Sequence, residues 1–253
     1  MITVERDDAV TTIWLDRPDR RNALTPGMLA ELVEAAHAAA DAGSAVLLAG
    51  RGPCFCAGFD LAMCQGTPDG TVMRLLLTGL SDACQALRQL PRPVVIAAHG
   101  AAIAGGCALL GAGDIIVADR GAKLGYPVVK LGVSPAVSVP FLRQGVTDGE
   151  ARRRTLMPET FTGEEAHRRA LVHELVDGSS DVYDRARALA HELAAKPAEA
   201  YAATKRWLNT LEGITKRRDA ERALEVSLGL TGGDEECSRI GALKFGTQTE
   251  NKR

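Results

Sequence analysis

Along the first half of the chain the apolar positions fall into short runs broken by glycine, proline and charge, and the period of each run predicts its element. Ile2-Thr3-Val4-Glu5-Arg6 and Val10–Leu15 read as two strands around a tight turn at Asp7-Asp8. Thr25-Pro26 caps a helix in which Met28, Leu29, Leu32, Val33 and Ala36 recur at helical spacing, and Asp41-Ala42-Gly43 ends it. Ala45–Ala49 is a short apolar strand. Gly66-Thr67-Pro68-Asp69-Gly70 reads as a mobile loop, and an amphipathic helix follows from Val72 to Leu90, closed by Pro91-Arg92-Pro93. Val94–Ala98 and Ile115–Ala118 are apolar on both faces, as buried strands are, and a short helix of small residues, Gly105–Gly111, lies between them. Strands alternating with helices imply α/β architecture with crossovers.

Beyond Tyr126-Pro127 the pattern changes. Glu150–Met157, Gly163–Ala170, Val182–Ala195, Pro197–Leu211 and Thr215–Leu230 all carry helical periodicity, and no strand is predicted after Val133. These helices must bury their apolar faces against the α/β part, each other or another subunit. Lys205, Arg206, Lys216, Arg217, Arg218 and Arg222 read as a solvated basic face.

Composition narrows the class. Thirty Lys and Arg against 32 Asp and Glu give a net charge of -2, so charge favours neither nucleic acid nor a membrane surface as partner. Six cysteines and no secretory leader ahead of the first strand are expected of reduced thiols in a cytoplasmic protein. Cys54-x-Cys56 has no second Cys/His pair at zinc spacing, so no metal is expected. The run from Pro93 to Asp119 is apolar enough to raise a membrane span, but His99, Asp114 and its glycines argue against insertion. It also lacks the lysine of a phosphate-binding P-loop and the glycine spacing of a dinucleotide fold.

What remains is a pair of turns. Phe55-Cys56-Ala57-Gly58-Phe59-Asp60-Leu61 follows one buried strand, and Gly105-Gly106 follows another. Each could aim one backbone N–H at a single oxygen, which is the geometry of an oxyanion hole.

On these residues the sequence resembles the crotonase superfamily, the enoyl-CoA hydratase/isomerase family. Asp16-Arg17-Pro18 with Asn22-Ala23-Leu24, Phe55–Leu61, Pro93–Leu109 with Asp114-Ile115, and Phe161-Thr162-Gly163 with Ala170-Leu171-Val172 carry the resemblance across nearly the whole chain. It implies an α/β fold, a crotonase-like spiral of ββα units over residues 1–195, with a helical C-terminal trimerisation region at 196–253 and assembly as a homotrimer or hexamer. It implies an acyl-CoA thioester as substrate or ligand and no separate cofactor. Carried over by position, the N–H groups of Phe59 and Gly105 would hold the thioester oxygen, Ala57 would meet the adenine, and Arg17, Arg20 and Arg21 would meet coenzyme A phosphates.

The chemistry departs from the family. Hydration moves protons at two carbons, and typical hydratases use two glutamates; those positions here are Ala108 and Val128. A third, where some relatives carry aspartate, is Ala136. None of these side chains carries a proton. Asp60, His99 and Tyr126 are the nearest substitutes, followed by Cys64, Ser134 and Ser138, while Cys56 and Cys107 read as small packing groups. Three functions stay open: an enzyme of the lyase/isomerase type with non-standard proton carriers, a non-catalytic fatty acyl-CoA carrier, and a structural partner of active paralogues.

Overall fold

The computed structural model describes residues 1–41, 44–65, 69–211 and 217–244. The strands are β1 (Ile2–Arg6), β2 (Val10–Leu15), β3 (Ala45–Gly50), β4 (Val94–Ala98), β5 (Ala101–Ile103), β6 (Ile115–Asp119), β7 (Lys123–Gly125), β8 (Thr160–Thr162) and β9 (Glu174–Val176). The helices are α1 (Pro26–Ala40), α2 (Thr71–Gln89), α3 (Gly105–Leu110), α4 (Val139–Gly145), α5 (Asp148–Leu156), α6 (Gly163–Arg168), α7 (Asp181–Ala194), α8 (Ala198–Leu211), α9 (Arg217–Leu228) and α10 (Asp234–Gly241).

Six strands form one sheet in the order β1-β2-β3-β4-β6-β9, parallel except for the β1–β2 hairpin. Its central strands have to be apolar on both faces because both are covered. Val46, Leu48, Val94, Ile96 and Ala98 meet a core shared with α1, α2 and α3. Leu47, Ala49, Val95 and Ala97 meet a smaller core with α7. A second sheet, β5-β7-β8, stands beside the first. The chain visits both sheets in turn: β4 then β5 then α3, and β6 then β7 then α4. Cys56, bridged to Ala102 after β3, makes an earlier turn of the same spiral, with α2 as its helix.

Two sequence expectations need correction. Strands do occur after Val133: β8 and β9 are each three residues long, too short to show a period, and exist because β7 and β6 offer them open edges. Lys205 is not on a solvated face; it is 4% exposed, and its ammonium lies 2.6 Å from the Asp114 carboxylate. Arg206 and Arg222 are exposed as expected, whereas Lys216 and the side chains of Arg217 and Arg218 lie outside the described residues. Residues 42–43, most of the 66–70 loop and the first two positions of the 215–230 helix also lie outside them. Among the described residues no helix is long and apolar enough to cross a membrane.

The last helices fold back on the spiral. α9 packs on the 3₁₀ turn Pro135–Ser138, where the fully buried Ser227 hydroxyl donates to Ser134 O at 3.0 Å and accepts from Val137 N at 3.0 Å. α10 packs on the 3₁₀ turn Pro127–Leu131. The turns that carry Val128 and Ala136 are therefore held by the chain's own C-terminal helices.

Candidate active site

The two turns named by the sequence meet. Cys56 N donates to Ala101 O at 3.0 Å and Ile103 N to Cys56 O at 3.0 Å, zipping the first turn to β5. Contact is so close that a methyl group on Gly106 would lie 2.6 Å from Cys56 O, and one on Gly58 would lie 2.9 Å from Ile103 O. Gly58 has φ +93, a conformation that glycine alone adopts without strain.

Phe59 bridges Leu24 in parallel: Leu24 N donates to Gly58 O at 2.7 Å, and Asp60 N to Leu24 O at 2.9 Å. In that pattern the N–H of Phe59 itself points away from Leu24. Gly105 is the first residue of α3, where the helix supplies no acceptor for its N–H. Its partner turn touches it directly, since a methyl on Gly105 would sit 3.0 Å from Cε1 of Phe59. Ala104, immediately before, holds φ 51 and ψ -112. A non-glycine residue in that region stores strain, and here it turns the backbone from β5 into α3, with Ala104 N anchored to Gly125 O at 2.8 Å. Two backbone donors without partners among the described residues thus stand side by side on rigid turns.

Asn22 ties the first turn to the segment before it, a role the sequence reading did not assign. It is completely buried; its amide donates to the carbonyls of Arg51 (2.8 Å), Cys54 (2.9 Å) and Phe55 (3.1 Å), and its Oδ1 accepts from Arg17 N at 2.9 Å. Both Arg21 and Asn22 have positive φ, 51 and 55. The sequence marks Asn22 as part of the Asp16-Arg17-Pro18 and Asn22-Ala23-Leu24 segment that carries the resemblance, but not what its side chain holds. The Cys56 thiol adds a bond to Asn22 O at 3.2 Å, and burial pushes its pKa up to about 12, so it packs and locks rather than reacts.

The substitute acid/base candidates are engaged elsewhere. Asp60 pairs with Arg17 at 2.7 Å, and Arg17 also donates to Ala23 O at 3.0 Å. Through these contacts Arg17 braces the turn beneath Phe59. Arg20 and Arg21 are exposed, and Arg21 O accepts from Ala57 N at 3.0 Å, so both arginines flank the Ala57 loop. Tyr126 is 1% exposed and donates its hydroxyl to Cys107 O at 3.0 Å; burial holds the phenol well above its ordinary pKa. The Cys107 thiol is likewise pushed up, to about 11, by burial. His99 continues the strand alternation on to the α7 face, where it lines a cleft with Trp14 and Tyr183 and sits 2.9 Å from Gly52 O. It is on the wrong side of the sheet for the turns. Burial, then the nearby Glu236 and Asp60, pushes the Cys64 thiol up to about 11. Ser134 accepts from Ala136 N at 3.2 Å, and Ser138 is buried.

Ala108 is 1% exposed on α3 and belongs to the main core, against which the half-buried Val128 packs; Ala136 is half-buried on its own turn. The arrangement leaves two adjacent backbone donors, and at Ala108, Val128 and Ala136, where the resemblance implies acid/base residues, it offers only alkyl groups.

A family model described as enoyl-CoA hydratase/isomerase matches residues 5–246. A protein of Escherichia coli strain K12 named 1,2-epoxyphenylacetyl-CoA isomerase is 31% identical over 246 residues, 94% of this chain and 92% of the relative. A relative from Rhodobacter capsulatus named "Probable enoyl-CoA hydratase" is 33% identical over 229 residues, 90% of this chain and 87% of its own. Among solved structures, an enoyl-CoA hydratase from Bacillus halodurans shares the fold with a TM-score of 0.84 at 24% identity, covering 96% of this chain and 99% of that one. One from Mycobacterium smegmatis gives 0.77 at 28% identity, covering 94% and 93%.

Proposed function

The chain belongs to the enoyl-CoA hydratase/isomerase family, and from that premise we propose that it binds an acyl-CoA thioester with the carbonyl oxygen between the N–H groups of Phe59 and Gly105. The observation that carries this reading is the locked contact between the two turns, with two backbone donors left for a ligand. Donors fixed before the ligand arrives need no reorganisation when negative charge develops on the oxygen. Arg20, Arg21 and the loop at Ala57 are the candidates for the coenzyme A end, since they are adjacent and the arginines are free to extend into solvent.

The reaction on this thioester is not glutamate-driven hydration. With Ala108, Val128 and Ala136 at the proton-moving positions, the chain is an acyl-CoA enzyme of non-standard mechanism, and the reading that competes with it is an acyl-CoA carrier. Association into trimers or hexamers is part of the same proposal, supported by the exposed apolar side chains Trp207, Leu211, Val226 and Leu230 on and after α8 and α9; light scattering on the purified chain tests it, and a monomer rejects it.

Calorimetry with an acyl-CoA thioester and the matching thioether, which lacks the carbonyl oxygen, isolates the two donors. At roughly 0.5–1.5 kcal/mol for each net hydrogen bond, the thioester is expected to bind about 5- to 150-fold more tightly. Equal affinities would remove the oxyanion hole from the account. Turnover of a panel of enoyl-, dienoyl-, malonyl- and β-ketoacyl-CoA then separates enzyme from carrier, a chain that binds all and converts none being a carrier.

A further inference from the structure

Far along the sheet from the two turns, α8 crosses the end of α2 and the start of β6 and leaves a cavity of about 530 Å³. Its volume falls within the ordinary range of small-ligand sites, about 300–1,000 Å³. One wall is aliphatic, made by Leu110, Ile116 and Leu171. The lining also carries Asp114, His173 and Lys205.

These polar groups are arranged as donors. Asp114 Oδ2 already accepts from Lys205 Nζ at 2.6 Å and from Val94 N at 2.8 Å, and Arg88 stands 3.8 Å from its other oxygen. The single carboxylate in the lining is therefore committed. Lys205, although 96% buried by its 4% exposure, spends one ammonium hydrogen on Asp114 and one on Arg92 O at 2.9 Å, leaving a third without an acceptor among the described residues. His173 Nδ1 accepts from Ile116 N at 3.0 Å, which fixes the neutral ring with its hydrogen on Nε2, again without an acceptor among the described residues. Burial, followed by the nearby Arg88 charge, lowers the pKa of this ring, so the neutral donor form prevails at pH 7. Lys196 adds an exposed ammonium at the edge.

A cation would meet two lysines here, and a purely apolar guest would leave the third hydrogen of the buried Lys205 unsatisfied, at roughly 1–3 kcal/mol, while His173 stands at the exposed edge. We infer that the cavity is a second ligand site for a carboxylate with a short aliphatic chain, its head between Lys205 and His173 and its chain along Leu110, Ile116 and Leu171. The inference does not depend on the oxyanion-hole reading, because no residue is shared.

Calorimetric titration of the full chain with octanoate tests it. One octanoate is expected to bind per chain, with octanol at least tenfold weaker for want of a charge and inorganic phosphate giving no saturable heat for want of a chain. Saturating acyl-CoA is expected to leave the octanoate affinity unchanged. Ala200→Trp, at an exposed position of α8 that lines the cavity, fills the space without touching the buried Lys205–Asp114 pair and is expected to weaken octanoate at least tenfold while acyl-CoA binding persists. Absence of saturable octanoate binding, displacement by acyl-CoA, or full binding by the Ala200→Trp chain would each overturn the proposal.

Discussion

The two halves of the candidate site are built by opposite means. The turn pair at 55–60 and 101–106, with Arg21 and Asn22 beside it, is a knot of buried backbone hydrogen bonds, with left-handed φ at Arg21, Asn22 and Ala104 and glycines at 58 and 106 where a side chain would come within 3 Å of neighbouring backbone. The corner at Ala108, Val128 and Ala136 is alkyl packing with ordinary helical geometry. Backbone donors can be aimed only by fixing the chain itself, which costs strain and demands partners for every other polar group nearby. Proton carriers are single side chains, and a core closes equally well over alanine or valine. On the proposed reading, recognition and chemistry are separated in one site without disturbing the fold.

If the knot does what this contrast requires, Asn22→Ala should have the largest effect. It strands the carbonyls of Arg51, Cys54 and Phe55 and leaves a hole in a fully buried place. A loss of about 3 kcal/mol in unfolding free energy is expected, in line with breaking a buried hydrogen-bond network, together with at least tenfold weaker thioester binding. Urea titration and calorimetry read the two quantities, and a variant with native affinity would show that the turn holds its shape without Asn22.

Gly106→Ala comes next. The added methyl would overlap Cys56 O at 2.6 Å and Cys56 Cβ at 2.7 Å, neither of which can rotate away. Overpacking of this sort costs about 1–3 kcal/mol. Because the two turns are pushed apart, the thioester-over-thioether preference should shrink towards one even where the chain remains folded. A preserved preference would place the donors somewhere other than Phe59 and Gly105.

The contrast also explains what could be read in advance. Strands such as β3 and β4 were legible because burial on both faces forces a continuous apolar run, and the turn pair was legible because close backbone approach forces glycine at 58 and 106. Asn22 was not, since its four partners are brought together only by the fold. The same limit hid Lys205, whose carboxylate lies 91 positions away in the chain, and the pairing of Arg17 with Asp60. Short edge strands such as β8 and β9 owe their existence to a neighbour's open edge and leave no period to read.

A third test reports on the apolar corner itself. The Cys84 thiol lies beneath α3, 3.8 Å from Ala108 O, and burial alone pushes its pKa from 9.0 up to about 12. In the unfolded chain the thiol ionises from about pH 9, whereas in the folded chain it stays protonated, so stability falls as pH rises through that window. The slope contributed by one such group is about 1.4 kcal/mol per pH unit. Denaturation of the parent and of Cys84→Ala at pH 8 to 11 should show a shallower fall in the variant by that amount. Parallel slopes would mean that water reaches the corner and that it is not the dry environment the packing describes.

The smallest effect on the fold, and the sharpest test of the contrast, is expected of Val128→Glu. Ala108 is a poor place to restore a carboxylate, because it is 1% exposed in the same medium that suppresses ionisation of Cys84, and a charge there would be neutralised or would disrupt the core. Val128 is half-buried on a 3₁₀ turn held from behind by α10, so a glutamate can reach water, ionise, and leave the backbone where it is. Stability should fall by about 1 kcal/mol, the usual size for a single substitution, since Val128 gives up part of its packing on the core, and thioester affinity should change by less than about twofold, which is within about 0.4 kcal/mol. With the proposed oxyanion hole in place and one general base supplied, slow hydration of a short enoyl-CoA, followed by loss of its ultraviolet absorbance, is expected to rise above the parent chain. A tenfold loss of thioester affinity would show that the two halves of the site are coupled after all. Unchanged affinity without any hydration would show that the corner needs both of its carboxylates before the hole can be used.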